Sequence, residues 1–281
     1  MITFRLLQPE STTMVPGYEK TADDFLELAS EQRLAILLKL QEGPVKVSNV
    51  AKELDATVPE VYRNFERLVK ADLIEKNPDG SYGITTTGRI LASQVSLIGF
   101  LSGNKKYFKN HDLDQLPKKY IQRIGALERC DIVKGFVKVQ EKWKEIYSDA
   151  EKYIYNILFE VPYTPDLMEL LAKRINSGVK VQSIFSESAV IPKERKQAFD
   201  KLGFKDLIQQ GKIERKMQQD AKTIVILNEK EAGVMFSSSG GDVDMSEGFF
   251  SKDEQFHEWC LDYFKDCWEK AGPFRETKLK E

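Results

Sequence analysis

The chain has 281 residues, 41% of them hydrophobic and 31% charged, with a formal net charge of −2. That composition excludes a largely disordered chain and one that coats nucleic acid indiscriminately, and the length suits two domains better than one core. No apolar run approaches the roughly eighteen residues of a membrane span, and the start, MITFRLLQPESTTMVPGYEK, lacks a secretory apolar stretch, so the sequence reads as cytoplasmic with no membrane partner.

In chain order, ADDFLELASEQRLAILLKLQE (22–42) predicts one helix, with Phe25, Leu26, Leu28, Leu34 and Ile36 to Leu38 largely at helical spacing and acids near its start. After Gly43-Pro44, VSNVAKELDA predicts a second helix capped by Ser48. Thr57 caps a third, whose Pro59 lies in the first turn where a missing N–H costs nothing. Val61, Phe65 and Leu68 stand at i, i+4 and i+7 and face a core, which turns Glu60, Tyr62, Arg63, Asn64 and Arg67 outward. DLIEK and SYGITTT predict two strands closed by the turn Asn77-Pro78-Asp79-Gly80. Helix, helix, turn, helix and hairpin is the order of a winged helix-turn-helix.

TGRILASQVSLIGFLSGN is apolar nearly all round and predicts a helix in need of a partner, which a symmetric dimer would supply. The basic stretch that follows, to Cys130, is expected to be a connecting arm, with His111 hydrogen-bonded within it. From Asp131 the pattern alternates: DIVKGFVKVQEKWKEIYSDA as helix, YIYNILFEV as strand, TPDLMELLAKRINSG as helix, VKVQSIFSES as strand and PKERKQAFDKLGF as helix, an order that predicts a mostly parallel sheet. Later strands are expected at IERKMQ, KTIVILN and EAGVMFSS, with a hairpin at Asn228 to Glu231, and a closing helix buries Phe256, Trp259, Cys260, Tyr263, Phe264, Cys267 and Trp268. The expected division is 1–103, 104–130 and 131–281.

In a winged helix the third helix enters the major groove and the hairpin follows the adjacent backbone. Arg63 and Arg67 are therefore the expected contacts to guanine edges or phosphates, with Glu60, Tyr62 and Asn64 on the same face, Ser48 and Thr57 at helix starts near phosphates, and Lys76 and Tyr82 on the wing. Between Lys46 and Arg89 acids balance bases one for one, so affinity for double-stranded DNA has to come from arrangement and from two copies acting together. A winged helix that docks proteins instead is the alternative. Elsewhere the motifs are poor. Three widely spaced cysteines form neither a disulfide framework nor a metal knuckle, two histidines leave little for metal or acid–base chemistry, and SSSGGD (237–242) lacks the spacing of a phosphate loop and reads as a flexible turn; no cofactor or metal is implied.

The arm YFKNHDLDQLPKKYIQRIGALERC, the helix EKWKEIYSDAEKYIYNI and the ending EQFHEWCLDYFKDCWEKA resemble the archaeal methanogenesis regulatory protein family, over nearly the whole chain from about residue 22. The resemblance implies a transcriptional regulator that binds promoter DNA as a homodimer and joins an α+β winged helix-turn-helix domain to an α/β sensor domain. That second domain looks like a degenerate phospholipase D-like fold. An active member needs a His-x-Lys pair, and this chain has Asp220-Ala221-Lys222 in its place, which speaks against an enzyme and for a pocket that holds a small, anionic effector. Ligand sites in parallel sheets lie at the carboxyl ends of the strands. Those ends offer Phe159, Glu160, Ser186, Glu187, Ser188, Lys222, Ser237 and Ser238, with Ser239 beside them. A phosphodiesterase and a protein-interaction module remain the rival readings.

Overall fold

The computed structural model describes residues 17–113, 116–160, 163–219, 221–240 and 244–279, with the side chains of Glu160 and Ser188 outside that description. The chain divides into two compact units, residues 1–95 and 96–281. It is an α+β protein with helices at its N-terminal end and one large sheet beyond them. No helix among the described residues is long and apolar enough to cross a membrane.

The first unit holds α1 (Glu19–Leu28), α2 (Glu31–Glu42), α3 (Val47–Glu53), α4 (Val58–Lys70), β1 (Ile74–Lys76), β2 (Tyr82–Ile84) and α5 (Thr86–Ala92). The single helix expected over 22–42 is broken between α1 and α2. Ser30 accepts the backbone N–H of Arg33 at the start of α2, while the Arg33 guanidinium donates to the carbonyls of Leu26 and Glu27 at 2.9 and 2.8 Å, so side chains take over the orphan groups of both ends. The break turns Phe25 and Leu26 out of the core, leaving them 56% and 58% exposed. Helix α3 begins two residues earlier than a Ser48 cap predicts, at Val47, so Ser48 lies inside its first turn and Lys46 is the cap residue.

The turn into α4 is made by Asp55 at φ 48°, a left-handed conformation that aspartate tolerates better than most residues. Val61, Phe65 and Leu68 are fully buried against Ile36, Leu37, Leu40 and Val50, as the spacing predicts. β1 and β2 pair antiparallel, and Val45 exchanges backbone bonds with Tyr82 at 3.0 and 2.8 Å, an isolated bridge that ties the preceding loop to the hairpin. Helix α5 starts with Thr85 capping the N–H of Gly88 at 3.0 Å. Gly88 has no alternative residue without movement: a Cβ there would stand 1.9 Å from the Leu73 carbonyl oxygen.

The second unit takes in α6 (Val95–Gly103) from Ser96 onward, then α7 (Lys118–Gln122), β3 (Asp131–Lys134), α8 (Phe136–Asp149), β4 (Tyr153–Glu160), α9 (Pro165–Asn176), β5 (Lys180–Val190), α10 (Lys193–Lys201) and α11 (Phe204–Gln209). It ends with β6 (Ile213–Gln218), β7 (Ile224–Leu227), β8 (Ala232–Met235), β9 (Glu247–Ser251), α12 (Glu254–Lys270) and β10 (Gly272–Pro273). The eight strands lie in the order β10-β6-β5-β4-β7-β8-β9-β3. Among the described residues, only β4, β5 and β6 pair in parallel, through the helical crossovers α9 and α10–α11, and the other pairings are antiparallel. The sheet is therefore mixed rather than mostly parallel. Both faces are covered: Ile224, Ile226 and Phe250 join the core under α8, α9 and α11, while Val225, Leu227 and Phe249 join the core under α12.

This layering changes three sequence expectations. The apolar stretch from Thr87 to Asn104 is two helices, and Phe100 of the second is 1% exposed, set edge-to-face on Phe249 at 5.3 Å. Phe100 is thus buried within the chain, while Ile90 and Ile98 of the same stretch stay exposed, and the two units divide at 95/96. The expected arm is part of the second core as well, with Tyr107, Leu116, Tyr120, Ile124 and Leu127 buried there. Finally, Asp131–Lys134 is the edge strand β3 and not the start of a helix, because Gly135 at φ 102° separates it from α8.

Candidate nucleic-acid interface

Thr57 stands at the start of α4 with its side chain exposed and making no capping bond, and Pro59 follows in the first turn. The buried Val61, Phe65 and Leu68 fix the rotation of the helix, so Tyr62, Arg63, Glu66, Arg67 and Lys70 are exposed. They are not equally available. Arg67 closes its fork on Glu27, Nε to Oε2 at 3.1 Å and Nη2 to Oε1 at 2.6 Å, and the same carboxylate meets Arg33 Nε at 3.1 Å. The hydrogen bond and charge of Glu27 raise the Arg67 pKa further. Gln32 Nε2 donates to Glu60 Oε1 at 2.7 Å, and Asn64 Nδ2 donates to Gln32 Oε1 at 2.6 Å. Glu60, Asn64 and Arg67 therefore fasten α4 to α1 and α2, a role hidden from the sequence because the partners lie some thirty to forty positions upstream. Tyr62 is turned to Glu66, whose hydrogen bond raises the phenol pKa. Arg63 and Lys70 are exposed and have no ion pair or hydrogen bond among the described residues.

On the wing, Tyr82 is 4% exposed and packs edge-to-face on Phe65 at 4.8 Å, so it is a core residue and not a contact. Lys76 remains exposed above its ring, 6.0 Å from the centroid. The turn is shaped from within: Asn77 N donates to Ser81 O at 2.8 Å, Gly80 takes φ 80°, and Asp79 Oδ1 accepts from both the N–H and the hydroxyl of Ser81 at 3.0 and 2.6 Å. Those two bonds hold the Asp79 carboxyl below its ordinary pKa. A lowered carboxyl pKa stabilises the fold above the ordinary range and loses that effect as pH falls through it. We expect exchange of the Ser81 amide hydrogen, followed by NMR, to accelerate on acidification beyond its intrinsic rate; Asp79→Asn should remove that pH dependence.

In the second unit, the register places the expected ligand residues at one end of the sheet. Phe159 and Glu160 end β4, Ser186 to Ser188 lie where β5 bulges against it, and Lys222 precedes β7, which runs antiparallel to β4. Their side chains differ from the expectation. Phe159 packs on the core, Ser186 and Ser237 are buried, and Glu187 is paired with Lys278 Nζ at 2.6 Å. Lys222 and Ser238 are half-buried, and Asp220 and Asp242 lie outside the described residues. Two backbone bonds tie the serines of this segment: Asp112 N donates to Ser237 O at 3.2 Å and Ser239 N to Asn110 O at 2.8 Å, while residues 241 and 242 lie outside the described residues. His111 stacks on Tyr107 at 3.7 Å and bonds Tyr107 O at 2.9 Å and Asp244 Oδ2 at 3.2 Å. Among the described residues, no three or more His, Cys, Asp or Glu side chains gather as a metal site.

The region that carries α4 has a family likeness. Residues 23–98 match the family model described as HVO_A0261 N-terminal domain. Three solved structures are similar at low identity. The archaeal chromatin protein TrmBL2, whose structure is described as showing a novel mode of DNA binding, is 15% identical, with 91% of this chain and 100% of that chain covered and a TM-score of 0.40. Nuc from Salmonella typhimurium, a phospholipase D family member, is 14% identical over 52% of this chain and 98% of its own, with a TM-score of 0.38. RosA from Streptomyces davawensis, a riboflavin-derivative dimethyltransferase, is 12% identical over 72% and 66%, with a TM-score of 0.26. These scores carry no argument about function. No curated protein matches the sequence.

The sequence missed the acidic and amide partners on α1 and α2, and in the second unit it missed two arginines, Arg195 and Arg215. Arg215 had a signal. It sits between Ile213 and Met217 at period two in β6, on the face that both apolar neighbours bury.

Proposed function

We propose that the chain is a DNA-binding transcriptional regulator, a homodimer whose second unit senses a small ligand. The observation that carries the reading is the helix α4: its inner face is fixed by Val61, Phe65 and Leu68, and Arg63 and Lys70 project from it without a partner, beside a wing that bears Lys76. An exposed, unmatched arginine on the helix that a winged fold inserts into the major groove is suited to a guanine edge or a phosphate. The resemblance to archaeal methanogenesis regulators supports the same reading. A dimer would present two such helices about one turn of DNA apart, near 34 Å, and read a palindromic site twice.

Turnover on phosphodiesters is not part of this proposal. Asp220 occupies the position of a nucleophilic histidine in the sequence, and the chain's two histidines are engaged elsewhere, His111 with Tyr107 and Asp244 and His257 Nε2 with the Asn228 carbonyl at 2.6 Å.

The test is duplex binding by fluorescence anisotropy at rising salt, with genomic fragments recovered from the purified protein as the specific sites. Log affinity should fall linearly with log salt, with a slope of about −0.9 for each phosphate neutralised. Sedimentation of the chain at the same salt should give twice its 32.2 kDa. Absence of duplex affinity at low salt would leave a protein-docking winged helix as the better reading.

A further inference from the structure

In the second unit, a cavity of about 170 Å³ lies on the face of β5 and β6 beneath α10, within the described residues. About half of its wall is apolar, with Leu171, Phe185, Phe199, Phe204, Ile213 and Phe274 contributing. Into this wall project two guanidinium groups. Arg215 lies 4.0 Å from the Phe274 ring centroid and 5.6 Å from that of Phe199, and Arg195 lies 5.9 Å from that of Phe199.

Neither arginine has an ion pair or hydrogen bond among the described residues, and Arg195 Nε is fully enclosed with no protein acceptor. The acids of the lining do not serve them: Asp200 is paired with Lys205 Nζ at 2.8 Å, and Glu276 acts on Arg215 only at a distance. Burial pushes the Arg195 pKa down to about 10 and lowers that of Arg215. Two like charges withdrawn from water side by side are unfavourable unless an anion joins them. An apolar cavity of about 150 Å³ accepts a benzene ring, so this one has room for a ring with a compact charged group.

We propose that this cavity binds a small aromatic carboxylate of the size of benzoate or phenylacetate, with its carboxylate on Arg195 and Arg215 and its ring between Phe199, Phe274 and Leu171. A planar carboxylate matches the guanidinium fork, and the ring faces supply the apolar contact. The site deepens the sensing half of the function proposed above and rests on it for its regulatory meaning, while binding itself is measured without DNA.

The test is isothermal titration of the full chain with benzoate, phenylacetate, neutral benzyl alcohol and inorganic phosphate. Each acid should bind one to one, and benzyl alcohol and phosphate at least about tenfold more weakly, the factor set by charge-assisted hydrogen bonds in an apolar site. Arg195→Met and Arg215→Met should each lose about tenfold in affinity for the acids and leave benzyl alcohol unchanged. The ligand-free melting temperature of these variants should hold or rise, because an unmatched charge is removed; a merely structural arginine would lower it. Arg195→Lys, which keeps the charge without the fork, should fold and bind the acids at an intermediate level. No saturable binding of either acid, equal binding of benzyl alcohol, or arginine variants that bind as the parent does would overturn the site. If acids bind but leave DNA affinity unchanged, the site stands and the sensing reading falls; if DNA binds and acids do not, the site falls and the DNA-binding reading stands.

Discussion

Replacing Arg63 by alanine is expected to weaken duplex binding by about 1–3 kcal/mol, roughly five- to 150-fold, with little change in stability. The side chain is exposed on α4 and has no partner whose loss would disturb the fold. Anisotropy against a selected site and a scrambled duplex separates its two possible contacts. A base contact shows as relaxed sequence preference at one position, whereas a phosphate contact weakens both duplexes alike and reduces the salt slope by about one. Arg67→Ala should have the smaller direct effect on DNA affinity, because its fork is already closed on Glu27. An Arg67→Ala loss larger than that of Arg63→Ala, in a chain that remains folded, would move the recognition contact from one arginine to the other.

Phe65→Ala should cost about 3–5 kcal/mol, a large share of the 5–15 kcal/mol that ordinary domains possess. Phe65 is fully buried, supports Tyr82 of the hairpin edge-to-face, and lies between Val61 and Leu68 in the same core. Its removal leaves a cavity under both the helix and the wing. Hydrogen exchange should show the loss directly, as reduced protection of amides in α2, α4 and β2, and chemical denaturation should show an earlier transition. Protection unchanged in these elements would mean that the first unit does not depend on this core.

The inner face of α4 was legible because three apolar residues at i, i+4 and i+7 leave a helix only one way to turn. The wing was legible from Pro78-Asp79-Gly80, and the β7–β8 hairpin from the polar residues at Asn228 to Glu231 between two apolar runs. Strand direction was not, since period two marks faces and says nothing of which neighbour a strand pairs with. β3 was missed because its four residues run into α8 across a single glycine, and β9 because Glu247–Ser251 follows a stretch rich in turn residues. Tyr62, Arg63 and Arg67 of the expected DNA face are exposed, yet helical spacing cannot show that Gln32 and Glu27 engage Glu60, Asn64 and Arg67. The same limit hid the cavity: Arg195 and Arg215 come from a helix and a strand that only the tertiary fold brings to one aromatic wall.

The carboxylate of Glu27, held between Arg33 and Arg67, also bears on how fast a DNA partner would be found. One carboxylate cancels one of its two cations, so the three groups together present a single positive charge to the field, which is screened beyond a Debye length of about 8–10 Å. The long-range pull of this surface on a polyanion is therefore weaker than its number of arginines and lysines suggests. Encounter would proceed at the rate of largely unsteered diffusion and orientation, and the lifetime of the complex, not the speed of its formation, would distinguish a cognate site from the surrounding sequence.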